Sequence, residues 1–421
     1  MKTAHTHFGQ VKRFKYLVAW QKGKQPAGLS VLPDNSEWLP YLTMEYLRGE
    51  ASASTLYARP ENNSVVANND DIILLWDGAN AGEFLEGKHG LVSSTAALLR
   101  SRSVQQRFLF YACRSAQSRL QQTTVGMGIP HVNGDSLGQM LFSVPSSAEQ
   151  RSIAAYLDEQ TGKIDRLMDM RRRQMALLKE QRAALIQQAV TRGLNPNVAM
   201  KDTALPWLGE IPAHWEVRKL KGLTSILTCG YASTPDYVSD EVGVPFLSAQ
   251  NVQKNKLLLK KYNFIPKQLH QQLTRYRRPV IGDILVTRVG AGIGDACVVD
   301  TDLEFSVYVS LTHIRTSKEL LNTFLVYFFQ TRYSKLLNGD GTVVGGGVGN
   351  LNVQNLARYP FPLPPMHEQR SIVEYLDIEG VKTDRLLSAY TRQMELLTEY
   401  RAALIHECVT GQRTVPEIAN V

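Results

Sequence analysis

Two stretches of the sequence carry residue types that could do chemistry, and the first is a glycine loop. Gly290-Ala291-Gly292-Ile293-Gly294 follows an apolar run with the pattern of a strand, as glycine loops of nucleotide and S-adenosylmethionine sites do. Such a loop needs a helix directly after it, because the helix N-terminus must face the ligand. The segment Ala296–Val299 has the pattern of another strand instead. A tight β-turn is therefore the better interpretation.

The second stretch, Asp77 followed by Glu86-Gly87-Lys88, has the spacing of a metal-dependent nuclease core. In such a core, carboxylate and amine groups hold a metal ion and a water molecule for phosphodiester cleavage. Short polar patterns also arise by chance in loops, and the second half of the chain has no counterpart to this one. A metal-dependent nuclease or methyltransferase that acts on DNA in its own right is kept as the alternative function.

Basic residues are the third kind of candidate. The chain of 421 residues has a net charge of +8 and a pI near 9.2, which favours a polyanionic partner. Arginine can chelate guanine in the major groove, whereas lysine mostly neutralises phosphate. For any single residue, a solvated surface charge is an equal alternative. The candidates for DNA contact are Lys22, Lys24, Arg59, Arg100, Arg102, Arg275, Arg277, Arg278 and Arg288.

These candidates lie in a chain that contains one segment twice. Glu149–Thr191 and Glu368–Thr410 are 219 residues apart and share 25 of 43 residues without a gap. Weaker echoes precede both copies, among them Val11–Lys15 with Val217–Lys221. An internal period of this length indicates two copies of one structural unit. The predicted order is variable domain, helix, variable domain, helix.

The variable parts have the patterns of both strands and helices. Asp71–Trp76 and Asp283–Arg288 look like buried strands that end in glycine turns, and Ser103–Ser115 and Lys318–Thr331 look helical. The predicted fold class is α/β (α+β), with two pseudo-twofold-related domains separated by two long helices that pair as an antiparallel coiled coil. The predicted boundaries are 1–145 and 201–364 for the variable domains, and 146–200 and 365–421 for the helical regions.

The repeated segment has the signals of a long helix. Ser146-x-x-Glu149 has the spacing of a capping box, in which the serine oxygen accepts an orphan backbone N–H. Further along, a seam alternates at spacings of four and three, as in a coiled coil. The seam positions are Ile164, Met168, Arg171, Met175, Leu178, Arg182, Leu185 and Ala189 in the first copy, and Thr383, Leu387, Tyr390, Met394, Leu397, Arg401, Leu404 and Cys408 in the second.

Two such helices most simply pair with each other, antiparallel if a pseudo-twofold relates the halves. A helix of about 29 residues is roughly 43 Å long. Two DNA readers on one face of a duplex lie about 34–36 Å apart, or a multiple of that distance. The helix pair is therefore the right length to act as a ruler between two readers. A coiled coil that merely joins two domains is the alternative.

Three motifs lie where the variable parts meet the helices. The first is Phe361-Pro362-Leu363-Pro364-Pro365 followed by Glu368-Gln369 and Tyr375-Leu376-Asp377, with a weaker twin at Phe142–Asp158. The others are Arg182–Ile186 and Trp207–Trp215. Together with the duplication, this set resembles the specificity subunit of type I restriction–modification systems over essentially the full chain.

The resemblance implies a non-catalytic subunit whose domains 1–145 and 201–364 each recognise one half of a split, asymmetric site in double-stranded DNA. It implies that the paired helices set the spacer and bind two modification subunits, which methylate adenine, and that restriction subunits join that core. S-adenosylmethionine is then expected on the modification subunit, with no cofactor and no metal in this chain. The first domain departs from the pattern, because it lacks the Trp-Leu-Gly-x-Ile-Pro segment that precedes the second.

Residues at the helix borders and on the seam are predicted to form the helix-pair or partner interface. A charge on the seam is costly unless it is paired. Arg182 and Arg401 are therefore each expected to bind a carboxylate across the helix pair or on a modification subunit, with Glu180 and Glu399 as nearby candidates. The predicted interface residues are Glu149, Gln150, Arg182, Glu368, Gln369 and Arg401.

The remaining signals concern location and thiols. The sequence has no run of eighteen apolar residues and no apolar signal core at its N-terminus, which predicts a cytoplasmic protein without a membrane partner. Cys113, Cys229, Cys297 and Cys408 are isolated from one another, which predicts buried thiols and neither a zinc site nor disulfides.

Overall fold

The computed structural model describes residues 8–33, 37–49, 55–126, 128–253, 255–290, 292–340, 342–345 and 348–416. The chain divides into two compact units: unit 1 is Met1–Arg172 with Thr391–Val421, and unit 2 is Arg173–Tyr390. The N-terminal residues on which the predicted lack of a signal core depends lie outside the described ranges. Within those ranges, no helix combines the length and the apolar character needed to cross a membrane.

Unit 1 is a mixed α and β domain. Its strands are β1 (Gln10–Arg13), β2 (Val18–Lys22), β3 (Leu39–Leu42), β4 (Tyr57–Ala58), β5 (Val66–Ala67), β6 (Ile72–Leu75), β7 (Phe84–Glu86), β8 (Gly90–Val92), β9 (Ala96–Ser101) and β10 (Leu141–Val144). Its helices are α1 (Phe14–Leu17), α2 (Met44–Arg48), α3 (Gln106–Gln121), α4 (Gly134–Gln139) and the first part of α5 (Ser147–Arg192). The strands form an antiparallel sheet β2-β9-β6-β7, a sheet β4-β3-β8-β5 with β3 parallel to β8, and the pair β1-β10.

Unit 2 has the same kind of architecture. Its strands are β11 (Met200–Asp202), β12 (Glu210–Pro212), β13 (Glu216–Lys219), β14 (Thr224–Cys229), β15 (Gly243–Leu247), β16 (Val252–Gln253), β17 (Lys256–Leu257), β18 (Asn263–Pro266), β19 (Ile284–Thr287), β20 (Ala296–Val298), β21 (Ser306–Val307), β22 (Leu311–Thr316), β23 (Thr342–Gly345), β24 (Val348–Leu351) and β25 (Pro360–Leu363). Its helices are α6 (Lys267–Thr274), α7 (Asn322–Gln330), α8 (Arg332–Asp340), α9 (Val353–Ala357) and α10 (Met366–Thr410), of which the last ends in unit 1. The sheets are β14-β22-β19-β20 and β18-β15-β21, and β13 pairs with β25.

The two units repeat one topology in the same register. The edge strands β2 and β14 are equivalent, because Lys22 lies opposite Ala97 as Cys229 lies opposite Thr312. The parallel pair β3–β8 of unit 1 corresponds to β15–β21 of unit 2. The predicted central strands are confirmed as β6 and β19, and all four residues of each are buried. The duplication inferred from the sequence is therefore a duplication of fold.

The long helices start inside the variable domains. The capping box at the start of α5 is confirmed, since Ser146 N donates to Glu149 Oε2 at 2.8 Å and Glu149 N donates to Ser146 Oγ at 3.3 Å. Helix α5 has 46 residues and α10 has 45, against the expectation of about 29. The extra turns come first along each helix, where Ile153 and Leu157 enter the core of unit 1 as Ile372 and Leu376 enter that of unit 2.

The helices pair as an antiparallel coiled coil, and their burial follows the predicted seam. Unit 1 contains the start of α5 with the end of α10, and unit 2 contains the end of α5 with the start of α10. Between Val381 and Arg401 the seam positions are the only side chains of α10 that are not exposed. Full burial is confined to the seam residues nearest the domain cores. These are Ile164, Ala189, Leu404 and Cys408.

The cysteines are free thiols, and three of the four are buried as predicted. Burial raises the pKa of Cys297 to about 12 and that of Cys408 to about 11, so both stay protonated and apolar in character. Cys113 is fully buried as well. The prediction is wrong for Cys229, which is only half-buried because it is the last residue of an edge strand.

Candidate nucleic-acid interface

Each long helix begins with a buried glutamine that bonds it to its own domain. Gln150 is 3% exposed; its Oε1 accepts from the backbone N–H of Gln105 at 2.7 Å, and its Nε2 donates to the carbonyl of Pro145 at 2.8 Å. Gln369 is 0% exposed and accepts from the backbone N–H of Leu321 at 2.7 Å. Gln105 and Leu321 are the N-caps of α3 and α7, where backbone donors lack helical partners. The structure therefore places these glutamines inside their units, and not on the predicted helix-pair or partner surface.

A second contact fastens each long helix one and a half turns or more further on. Asp158 Oδ1 accepts from the Tyr111 hydroxyl at 2.7 Å and from Arg107 Nε at 2.6 Å. Asp377 Oδ1 accepts from the Tyr327 hydroxyl at 2.6 Å. Burial and the neighbouring carboxylate raise the pKa of Tyr111 to about 12 and that of Tyr327 above its usual range, so both hydroxyls remain donors. We call the glutamine and aspartate contacts together the joint: Gln150 and Asp158 in unit 1, Gln369 and Asp377 in unit 2.

Glu149 and Glu368 occupy the same place in the repeat but make different contacts. Glu149 closes the capping box of its own helix. Glu368 Oε2 accepts from Trp215 Nε1 at 3.0 Å, and its Oε1 lies 2.6 Å from His214 Nε2. Trp215 is fully buried, so this carboxylate anchors the segment that leads into the second variable domain. Both predicted interface glutamates thus contact residues of their own unit.

The arginines on the seam pair across the two helices. Arg182 Nη1 lies 2.6 Å from Asp384 Oδ1 in unit 2, and Arg401 Nε lies 3.0 Å from Asp165 Oδ1 in unit 1. The two ion pairs are copies of each other, since both residues of the second pair are displaced by 219 positions from the first. The partners are aspartates, and not Glu180 or Glu399, because an aspartate of the opposite helix lies level with each arginine.

A carboxylate at the start of each central strand binds an arginine of the neighbouring strand. Asp71 accepts from Arg100 Nε at 2.9 Å and Nη2 at 2.8 Å, and Asp283 accepts from Arg315 Nε at 2.7 Å and Nη2 at 2.9 Å. Burial raises the pKa of both carboxyls, but hydrogen bonds from Arg100 to Asp71, and from His313 and Arg315 to Asp283, outweigh it and leave both pKa values below the usual range. Arg100, a predicted DNA contact, therefore joins β6 to β9.

The other basic candidates of unit 1 do not form one patch. Lys22 ends the edge strand β2 and its Nζ lies 2.6 Å from Asp77 Oδ2, with Lys24 exposed two residues later. Arg102 follows β9 at the opposite end of the same sheet. Arg59 follows β4 of the second sheet, and its Nη2 lies 2.9 Å from Glu37. Only Lys22 and Lys24 lie together.

In unit 2 the basic candidates separate into one buried arginine and one exposed cluster. Arg288 is 8% exposed and donates from Nε to the carbonyl of Leu351 at 3.1 Å, so it holds the glycine turn to the segment before α9. Arg275, Arg277 and Arg278 are exposed in the loop after α6. Arg277 Nη1 donates to Thr228 Oγ1 at 2.7 Å, and Arg278 pairs with Glu304. The exposed cluster thus lies beside the edge strand β14.

The two enzyme-like stretches are not assembled into sites. Strand β20 follows the glycine turn, as predicted, and no helix N-terminus faces it; Ala291 lies outside the described residues. Asp77 follows the end of β6, whereas Glu86 lies opposite Ile72 at the start of β6, so the two carboxylates are at opposite ends of one hairpin. Within the described ranges, no three His, Cys, Asp or Glu side chains are grouped so that they could hold a metal ion.

Two repeated, mixed domains that are each joined to one end of a helix pair define a scaffold for two separate recognition surfaces. The chain matches the family described as "Type I restriction modification DNA specificity domain" twice, over residues 11–172 and 212–386. It therefore belongs to that family of specificity subunits and carries two target-recognition domains.

Relatives support the same assignment along the whole chain. The chain is 28% identical over 423 residues to the type I restriction enzyme MjaVIII specificity subunit of Methanocaldococcus jannaschii, which covers 97% of this chain and 94% of the relative. It is 21% identical to the EcoKI specificity subunit of Escherichia coli over 210 residues, 49% of this chain and 45% of the relative.

Solved structures show the same fold. A chain from a study of complex assembly and conformational transition in the type I R-M system superimposes with a TM-score of 0.71 at 16% identity, covering 96% of this chain and 98% of the other. The HsdS subunit from Thermoanaerobacter tengcongensis superimposes with a TM-score of 0.50 at 16% identity, covering 94% and 97%.

Sequence reasoning missed the aspartates of the joint. Asp158 and Asp377 were part of the repeated Tyr-Leu-Asp motif, but the motif alone does not reveal which residue the carboxylate contacts. The signal that could have found them is the coincidence of two repeats: Tyr111 and Tyr327 close the matching segments Phe108–Tyr111 and Phe324–Tyr327. Residues that stay the same in both copies of a duplication contact other parts that also stay the same.

Proposed function

We propose that the chain is the non-catalytic DNA-recognition subunit of a type I restriction–modification complex, with one half of a split, asymmetric target read by each variable domain. The observation that carries this proposal is the repetition of the joint. Gln150 and Asp158 fasten the first domain to its helix through the same atoms that Gln369 and Asp377 use in the second. The joints are alike while the exposed basic residues differ, which suits two readers of different sequences.

The partners proposed for the chain are double-stranded DNA, two modification subunits and restriction subunits. Exposed apolar side chains along the long helices support a protein partner there, because such side chains on a solvated helix are otherwise unfavourable. S-adenosylmethionine would bind the modification subunit, and this chain would need no cofactor. The exposed apolar residues of the helices are Met170, Leu177, Ile378, Val381, Leu386, Leu396 and Tyr400.

The helix pair is proposed to set the spacer between the half-sites. Helix α5 is unbroken over 46 residues, which corresponds to roughly 69 Å. The joint fixes each domain to its helix at two points, so a change in helix length would be transmitted to the reader. The spacer should therefore depend on the number of heptads and the half-sites on the domains.

Methylation mapping tests this function. The chain is produced with its modification subunit in cells, and modified adenines are located by single-molecule sequencing. The expected result is one split, asymmetric motif, in which only one half changes when residues 201–364 are exchanged for those of another family member. Failure to find a split motif, with a modification subunit shown to be active, would contradict the proposal.

The enzyme alternative has its own test. The isolated chain is incubated with duplex DNA and either magnesium or S-adenosylmethionine. We expect neither cleavage nor methyl transfer, because the carboxylates at Asp77 and Glu86 are held apart by the β6–β7 hairpin. Activity that survives in Asp77→Asn but depends on magnesium would point to a different site, and activity lost in that variant would restore the nuclease interpretation.

A further inference from the structure

One end of the first sheet has the same backbone in both units. A Cβ on Gly23 would lie 2.2 Å from the carbonyl oxygen of Val92, and a Cβ on Gly230 would lie 2.2 Å from that of Val307. Glycine is required at both positions, because no larger residue fits against the neighbouring strand. The chain therefore leaves β2 and β14 along the same path, and the residues on either side of each glycine are placed alike.

The side chains at these matched positions differ. Lys22 and Lys24 flank Gly23, whereas Cys229 and Tyr231 flank Gly230. We call these flanking residues, with the residue that follows the central strand by two positions, the rim: Lys22, Lys24 and Asp77 in unit 1, and Cys229, Tyr231 and Val289 in unit 2. The equivalence of Asp77 and Val289 is set by their backbone pairing, since Asp77 bridges to His131 and Val289 to Asn350, 219 residues later.

The difference replaces an ion pair by two apolar side chains. Lys22 Nζ lies 2.6 Å from Asp77 Oδ2, and the two side chains are 46% and 27% exposed. Cys229 and Val289 stand in their places in unit 2. Polar groups continue the rim of unit 1, where Gln25, Asn80 and Ser94 line a cavity of about 510 Å³. The rim of unit 1 is thus polar and that of unit 2 is apolar.

Positive charge reaches the same strand end in both units by different routes. In unit 1 the lysines of the rim provide it. In unit 2 it comes from the loop after α6, where Arg277 donates to Thr228 Oγ1 at 2.7 Å and shares a cavity lining with Cys229 and Tyr231. Unit 1 has no helix equivalent to α6 between β4 and β5. The location of the charge is kept although the residues that supply it are not.

We propose that the rim is the base-reading surface of each domain: Lys22 and Asp77 recognise a G·C pair in one half-site, and Cys229 and Val289 contact a thymine methyl group in the other. This inference rests on the proposed function. A lysine ammonium donates to guanine O6 and N7 in the major groove, and a carboxylate accepts from cytosine N4, so the two groups match the two bases of one pair. Apolar side chains distinguish thymine by its methyl group. The arginines after α6 then bind phosphate beside the apolar rim.

Exchange of the rim residues between the units tests the inference. Lys22→Cys with Asp77→Val gives unit 1 the rim of unit 2, and Cys229→Lys with Val289→Asp does the reverse. The variants are produced with the modification subunit, and methylated sites are mapped by single-molecule sequencing. We expect discrimination at one position of one half-site to fall by about tenfold or more in the first variant. The other half-site and the spacer should stay unchanged, and the second variant should alter the opposite half-site.

The matched control is Arg102→Ser, which removes a positive charge from the opposite end of the same sheet and also installs the residue of the other unit, Ser317. It should leave the methylated motif as it is. An unchanged motif in both rim variants, or an equal loss of methylation at all sequences, would overturn the inference while the proposed function stands. Absence of any split motif with the unaltered chain would instead contradict the proposed function. If a double variant is unfolded by circular dichroism, Lys24→Tyr replaces it, because Lys24 is exposed.

Discussion

The starts of the two long helices show how one repeated motif does two different jobs. In unit 1, Glu149 caps its own helix by accepting from Ser146 N at 2.8 Å. In unit 2, α10 starts after Pro364 and Pro365, and Glu368 is bonded to Trp215 and His214. Sequence identity between the copies therefore preserves the helix and not every contact. What both units preserve is a helix start that is bonded to the variable domain.

The ends of the long helices make the same point with aromatic residues. Gly193 follows α5 with a φ of +75°, and a Cβ there would lie 3.2 Å from the Trp215 ring. Gly411 follows α10 with a φ of +76°, and a Cβ there would lie 2.1 Å from Phe8. Phe8 thus fills in unit 1 the place that Trp215 fills in unit 2. The missing tryptophan segment of the first domain is replaced at its most important contact.

The largest difference between the units is expected at the carboxylates of the central strands. Asp283 has a side chain 2% exposed and binds both Arg315 and His313, whereas Asp71 has a side chain 10% exposed and binds Arg100. Asp283→Ala should lower the free energy of unfolding by about 4 kcal/mol, because it leaves buried donors without a partner. Asp71→Ala should lower it by about 2 kcal/mol. Urea denaturation, with hydrogen exchange to report each unit, measures both; equal losses would contradict the comparison.

Acid should remove this difference. The pKa of Asp283 is below its usual range, so its contribution is present above the pKa of the unfolded chain, about 3.9, and is lost as the pH falls through the folded pKa. The stability gap between the unaltered protein and Asp283→Ala should be full at pH 6 and should shrink below about pH 4. Denaturation series at several pH values provide the measurement. A gap that grows in acid would show that the carboxyl is protonated in the folded state.

The tryptophan anchor should matter more than the capping box. Trp215→Phe removes the hydrogen bond to Glu368 and part of a fully buried ring, which should cost about 2–3 kcal/mol. Glu368→Gln should cost about 1 kcal/mol, and its counterpart Glu149→Gln about 0.5 kcal/mol because the cap is exposed. Thermal unfolding of the three variants gives the order. A larger loss for Glu149→Gln than for Glu368→Gln would reverse the account of the two helix starts.

The seam arginines should show the smallest effect and the best agreement between units. Arg182 and Arg401 each pair with an aspartate of the other helix in a partly exposed setting. Substitution of either by methionine should change the free energy of unfolding by less than about 1 kcal/mol, with a smaller change at high salt. Unfolding at 0.05 M and 0.5 M salt, for example, makes the comparison. A loss well above 1 kcal/mol in one unit alone would break the equivalence of the two pairs.

The sequence was sufficient for the elements and insufficient for their contacts. Periodicity located the central strands and the seam because the core selects apolar residues at fixed spacings. The helix predicted at Ser103–Ser115 is Gln106–Gln121, since Gln105 caps it and Leu120 is still buried. Charge density did not reveal that Arg288 is buried, because the carbonyl that it contacts belongs to Leu351, 63 residues later. Burial and pairing depend on the tertiary fold, which local patterns do not contain.

Chemical candidates had the same limitation. Lys22, Lys24 and Arg102 had equal standing in the sequence, and only the sheet register shows that Arg102 lies at the opposite end from the lysines. The four other candidates that face a carboxylate could not be recognised from spacing, because their partners come from distant strands or loops. They are Arg59, Arg100, Arg278 and Lys22.

The claim that the joint and the helix pair transmit spacing to two readers is tested most directly by removing equivalent heptads from both helices. Deletion of 171–177 from α5 and of 390–396 from α10 keeps the alternation of the seam and leaves Gln150, Asp158, Gln369 and Asp377 in place. Seven residues correspond to roughly 10 Å of helix, or about three base pairs at 3.4 Å each. Methylation mapping should show both half-sites unchanged and the spacer shortened by one to about three base pairs. An unchanged spacer with both half-sites still methylated would contradict the account.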